Sequence, residues 1–127
     1  PALLGCSPLP ALGAARRTAI LRSGLYNLRQ LAVGWHIYAD DHDNVYLPGR
    51  FANLGGGTSN PDNHNRIEGG LKYRPRWIAT LGGYAGTAPF DVPSTSDDRQ
   101  DYVSEIFVCP AVPERTDERN SAYGYNH

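Results

Sequence analysis

Leu21, Leu25, Leu28, Ala32, Trp35 and Ala39 follow one another at steps of 4, 3, 4, 3 and 4. That rhythm is the repeat of one helical face. It predicts a single long helix over about residues 11–40, with this stripe buried and Arg16, Arg22 and Arg29 turned toward solvent. Ser7-Pro8 suits a helix start, with an N-cap followed by proline at the first helical position. Pro10 can also be held within the first turn. Gly24 and Gly34 each weaken the helix by up to about 1 kcal/mol relative to alanine. They mark places where another segment can approach the helix backbone closely. In a chain of 127 residues, such a helix leaves only a small remainder to cover its own apolar face.

That remainder is rich in turn formers, with 14 Gly and 10 Pro in the whole chain. "NVYLPGRF" reads as a short strand ended by Pro48-Gly49, and residues 52–70 read as a loop. "RWIATLGGYAG" reads as a short helix with Trp77, Leu81 and Tyr84 on one side and Gly82-Gly83 at its end. "YVSEIFVCP" is β-branched and aromatic, so it reads as a strand stopped by Pro110. Residues 111–120 form a charged turn region, and "SAYGYN" reads as a last short strand. The expected fold class is α+β: one long helix packed on a small, loop-rich antiparallel sheet. Residues 1–13, apolar with three prolines, read as an N-terminal arm, and residues 14–127 as one folded unit.

Charge excludes some partners. The formal net charge is −1, from 12 basic and 13 acidic residues, which gives no footprint for nucleic acid or an anionic membrane. No apolar run approaches the roughly 20 residues that span a bilayer. There is no methionine, not even at position 1, so the natural chain is expected to begin upstream or to be processed. Lys72 is the single lysine beside eleven arginines. Cys6 and Cys109 either pair or remain two small buried thiols.

The densest chemical feature is Asp40, Asp41, His42, Asp43 and Asn44 in succession. Asp40, Asp41, Asp43 and Asn44 supply the oxygen ligands that Ca²⁺ prefers, though not at EF-hand spacing. The same residues also suit a polar helix end running into a turn. Acidic charge opposes the helix dipole there, so a cation or an arginine is expected to compensate. His36, His42, His64 and His127 do not fall at zinc spacing. "GGG" at 55–57 lacks the Lys-Ser/Thr of a phosphate loop, and Asp97-Asp98 lies in a loop. No acid, base and nucleophile set converges in the sequence, so no enzyme is expected. Eight tyrosines and eleven arginines suit a subunit interface or a carbohydrate-binding face, with Trp77 and exposed tyrosines as the platform in the second case.

Taken in order, "LPALGAARRTA", "NLRQLAVGWHIYADDHDNVYLPG", "W…LGGY.G", "FVCP" and "SAYGYN" resemble pseudopilin-like proteins. Those belong to the type IV pilin and type II secretion superfamily with a prepilin-type cleavage and methylation segment. The resemblance runs from Pro10 almost to the end. It implies a pilin-like head on the helix and a bacterial extracellular or cell-surface location. The implied partners are copies of the chain itself in a pilus-like filament, with membrane contact only through a precursor anchor that this sequence lacks. Calcium in the head is a further implication. Within that reading, Leu3, Leu4, Leu9 and Leu12 of the uncharged arm are the expected assembly interface. The alternative is a minor pseudopilin or surface module that recognises a secreted substrate or glycan.

Overall fold

The computed structural model describes residues 8–120 and Tyr123. Helix α1 spans Pro8–Asp41, 34 residues, a rod of about 50 Å at 1.5 Å per residue. Two single 3-10 turns, Gly57–Ser59 and Pro61–Asn63, lead into strand β1, His64–Ile67. Strand β2, Gly70–Tyr73, returns antiparallel to it, with His64 opposite Tyr73 and Ile67 opposite Gly70. Helix α2, Trp77–Leu81, follows, and a last 3-10 turn covers Glu105–Phe107. The long helix and small antiparallel sheet make an α+β arrangement, as the sequence predicts.

The long helix is real, but most of its buried face is not the expected one: of that stripe only Ala39 is buried and Trp35 half-covered. Leu31 and Tyr38 are buried, Asn27 and Gly34 lie with them, and Ile20, Gly24 and Trp35 are half-covered. Positions 20, 24, 27, 31, 34 and 38 repeat the 4-3 rhythm one residue earlier than the expected stripe. One residue is a rotation of about 100° on a helix. The head therefore covers the neighbouring face, and Leu21, Leu25 and Leu28 are 67%, 64% and 46% exposed. Polar Asn27 defines the covered face because its amide donates to two carbonyls of the head, Glu105 O at 3.1 Å and Val108 O at 3.3 Å. Hydrophobicity alone would not select that face. Gly24 and Gly34 of the helix do meet the head. A Cβ on Gly34 would lie 3.1 Å from the backbone nitrogen of Ala85, and one on Gly24 would touch Pro110.

Several expected strands are absent among the described residues. Residues 102–110 bury Tyr102 and Phe107, five positions apart, and an odd separation cannot share one face of a strand. The 3-10 turn at Glu105–Phe107 resolves this, and the two rings meet with centroids 5.1 Å apart. "NVYLPGRF" buries only Leu47, leaves Val45 and Tyr46 exposed, and contributes one isolated bridge, Arg50 to Arg76. Conversely, part of the expected 52–70 loop is the hairpin. Glu68-Gly69 is its two-residue connection, with Gly69 at φ 97°, a value that glycine adopts without steric cost. Of "SAYGYN" only Tyr123 belongs to the described residues. Helix α1 already includes residues 8–13 of the expected arm.

The core lies in two adjoining clusters. Leu31, Ile67, Ile78, Ala79, Phe90, Tyr102 and Phe107 form the first. Tyr38, Leu47 and Leu81 form the second, flanked by Trp35 and Trp77 with ring centroids 5.4 Å apart.

Candidate assembly surface

Helix α1 carries far more apolar surface than its head covers. Leu9, Leu12, Leu21, Leu25, Tyr26, Leu28, Val33 and Ile37 are all exposed. Residues 9–19 are exposed except Gly13, so the first turns stand clear of the head. A helix that is apolar on several faces is ordinarily enclosed by other protein, and exposed apolar patches of this kind mark interaction surfaces. Of the four expected interface leucines, Leu9 and Leu12 are on this free portion at 75% and 62% exposure. Leu3 and Leu4 lie outside the described residues, as do Cys6 and His127. Cys109 is half-buried with a free thiol.

The acidic turn closes α1. Asp43 and Asn44 take left-handed backbone conformations, φ 54° and 62°, which short polar side chains tolerate best after glycine. Asn44 N donates to Ala39 O at 2.8 Å, a bond typical of a helix C-terminus. His42 stacks on Tyr38 at 3.9 Å between centroids, and its Nδ1 donates to Tyr38 O at 2.9 Å. Asp40, Asp41, Asp43 and Asn44 are all exposed. Among the described residues no group of three His, Cys, Asp or Glu side chains is arranged to hold a metal. Were the turn only a helix end, thermal melts in excess Ca²⁺ and in chelator would superimpose. A site filled at a hundred times its dissociation constant would instead add about 2.7 kcal/mol.

Beneath the surface, charged residues that sequence reasoning leaves without a structural role hold the head together. Lys72 and Glu118 are fully buried and paired at 3.0 Å. Lys72 Nζ also donates to Asp97 O at 2.5 Å and lies 5.5 Å from the Phe90 ring centroid. Glu118 accepts the Arg76 backbone N–H at 3.1 Å. Burial raises the Glu118 carboxyl above its ordinary value, with Lys72 opposing the shift. Nearer the surface, Asp98 pairs with both Arg50 and Arg119, and Asp117 receives Arg99 Nε at 3.0 Å. Asp117 also caps the Arg119 and Asn120 backbone N–H groups at 2.8 and 2.7 Å. These contacts and the Asp101–Asp117 bridge fasten residues 116–120 to residues 98–102.

Burial pushes both carboxyls up, but the arginine bonds to Asp98 and the backbone and Arg99 bonds to Asp117 outweigh it. Both values end below the ordinary one. Two depressed carboxyls stabilise the fold fully above the unfolded-state value of about 3.9, and that stability is lost as pH falls through the folded values. Urea midpoints should therefore drop on acidification below about pH 4. Asp98→Asn, already weakened at neutral pH, should show a shallower drop.

The residues proposed from sequence as a ligand platform are not gathered. Trp77 is half-buried against Trp35, whereas Tyr26 and Tyr46 are exposed at separate places. A groove of about 710 Å³ does lie between α1 and residues 105–113, lined by Tyr26, Ile106, Val108, Pro110 and Pro113. Among the described residues no helix is long and apolar enough to cross a membrane. No family model matches the chain, and neither a curated protein nor a solved structure matches it.

Proposed function

We propose that the protein is a structural subunit of a pilus-like extracellular filament, built by copies of itself packing around α1. The observation that carries this reading is the apolar surface of α1 left open by the head, above all Leu21, Leu25 and Leu28. Closing the exposed parts of these three side chains would yield roughly 3–5 kcal/mol gross per copy, before the cost of association. Leu9 and Leu12 are exposed too, farther toward the N-terminus and on a different side of the helix. Contacts that repeat head to tail without closing a ring give a fibre. The resemblance to pseudopilin-like proteins supports the same assignment, including a pilin-like head and a bacterial cell-surface location.

The test is electron microscopy and light scattering on the parent chain and on a triple variant, Leu21→Glu, Leu25→Glu and Leu28→Glu. The parent should form ordered filaments. The variant should stay folded and monodisperse, because none of the three leucines belongs to the core. Filaments unchanged in the variant would remove this surface from the assembly. A monodisperse parent would favour the second reading, a surface module that recognises a secreted substrate or glycan, for which the groove beside Tyr26 is the supporting feature.

A further inference from the structure

Two arginines of the head face each other and a third lies two residues along the chain, with Asp98 paired to the first and Glu118 attracting the second. Arg50 and Arg76 are directly opposed in an isolated antiparallel bridge, a placement in which like charges repel. Arg74 is two residues away, with buried Pro75 between. The Nε–H groups of Arg50, Arg74 and Arg76 are all buried and unpartnered. Among the described residues Arg74 and Arg76 enter no ion pair, while Arg50 shares Asp98 with Arg119. The nearby Glu118 carboxylate is already engaged by Lys72. Arg74 is moreover held at φ 45°, a conformation costly for a non-glycine residue and typical of constrained functional positions. Its backbone is fixed there by a 2.9 Å bond to Asn63 O.

The same chain displays the opposite imbalance elsewhere. Asp40, Asp41 and Asp43 project from the end of α1, exposed and without any ion pair among the described residues. Carboxylates are the groups that an arginine fork binds best, through two parallel N–H bonds. The geometry points to a docking site at Arg74 and Arg76, completed by Arg50, that receives the acidic turn at Asp40–Asp43 of a second copy. It rests on the filament reading for its role, and it assigns that filament a polar contact from the helix end of one subunit to the head of the next. The contact also supplies the cation that the acidic helix end lacks.

The test uses two arms. In the first, a synthetic peptide of residues 39–46, ADDHDNVY, is titrated into the full chain at low salt and followed by nuclear magnetic resonance. Saturable binding is expected, weakened at least tenfold by Arg74→Gln with Arg76→Gln and lost when the three aspartates of the peptide are asparagine. Equal binding by the parent and the glutamine variant would overturn the site. Binding of sulfate but not of the peptide would overturn the occupant. In the second arm, one variant carries Arg74→Asp and Arg76→Asp, and another carries Asp40→Lys, Asp41→Lys and Asp43→Lys. Neither should assemble alone, and an equimolar mixture should, since each reversed surface then meets its complement. Filaments from either variant alone would refute the contact while leaving the filament reading intact. Peptide binding by a parent that stays monodisperse would retire the filament and overturn a second copy as the occupant, leaving the arginines as a site for an acidic segment of another protein.

Discussion

Leu31→Asp is expected to abolish cooperative unfolding, whereas Leu28→Asp should leave it nearly unchanged. Leu31 is 2% exposed and packs with Phe107, Tyr102 and Ile78 in the main cluster. A carboxylate placed there has no partner, and burying it costs several kcal/mol. The whole stability of a domain this size is about 5–15 kcal/mol, so helix and head should separate. Leu28 lies three residues away and is 46% exposed. Its replacement forfeits only part of one leucine's burial, about 1 kcal/mol or less. Urea unfolding followed by circular dichroism reads both. If Leu28→Asp unfolds the protein and Leu31→Asp does not, the covered face of α1 is the Leu21–Leu28 stripe after all.

The contrast shows what the sequence could and could not reveal. Periodicity located α1 to within about three residues at each end, because a 4-3 rhythm sustained over five steps has no competing explanation. It could not choose between two adjacent faces with the same rhythm. The more apolar face remains open, and the covered one contains Asn27 and two glycines. Asn27 is there for its hydrogen bonds to Glu105 O and Val108 O, and Gly34 for the close approach of the Tyr84–Ala85 backbone. Neither contribution registers as hydrophobicity. The short helix at Trp77 was equally legible. The hairpin was missed because Asn, Arg and Gly dilute its alternation, although the Glu68-Gly69-Gly70 connection between "HNRI" and "LKY" carried the signal. The stretch around Phe107 was misread because its residues favour strands locally while the core requires both Tyr102 and Phe107 inside.

The candidate site divides in the same way. The exposure of Leu9 and Leu12 followed from an uncharged run with nothing local to pack on. The acidic turn was visible, and its left-handed residues Asp43 and Asn44 are the types that turns favour. The arginine imbalance was not visible, since Arg50 and Arg76 are 26 positions apart and only the bridge brings them together. Lys72 was conspicuous as the single lysine, yet a lone lysine ordinarily sits at the surface.

Glu118→Ala should therefore destabilise the fold by about 3–5 kcal/mol, the usual consequence of removing one partner from a buried ion pair. The ammonium of Lys72 would keep one carbonyl partner, Asp97 O, and one aromatic face, Phe90. No water reaches it, since its side chain is fully buried. The Arg76 N–H would lose its acceptor as well, and that bond positions the entry into α2. Replacing both charges by apolar residues, Lys72→Met with Glu118→Leu, should recover most of the loss, because Phe90 already supplies an apolar surface there. The raised Glu118 carboxyl sets the sign with pH. Below the ordinary glutamate value of about 4.3 its proton is bound in both states. As pH rises from there through the folded value, the folded state holds the proton more tightly than the unfolded chain, so stability falls. That limb should vanish in the double variant while the opposite acid limb from Asp98 and Asp117 remains. Denaturant midpoints from pH 3 to 8 for parent, single and double variants measure all three effects. A loss below about 1 kcal/mol for Glu118→Ala would mean that Lys72 finds water or another acceptor, and that the pair is not what locks residues 116–120 onto the head.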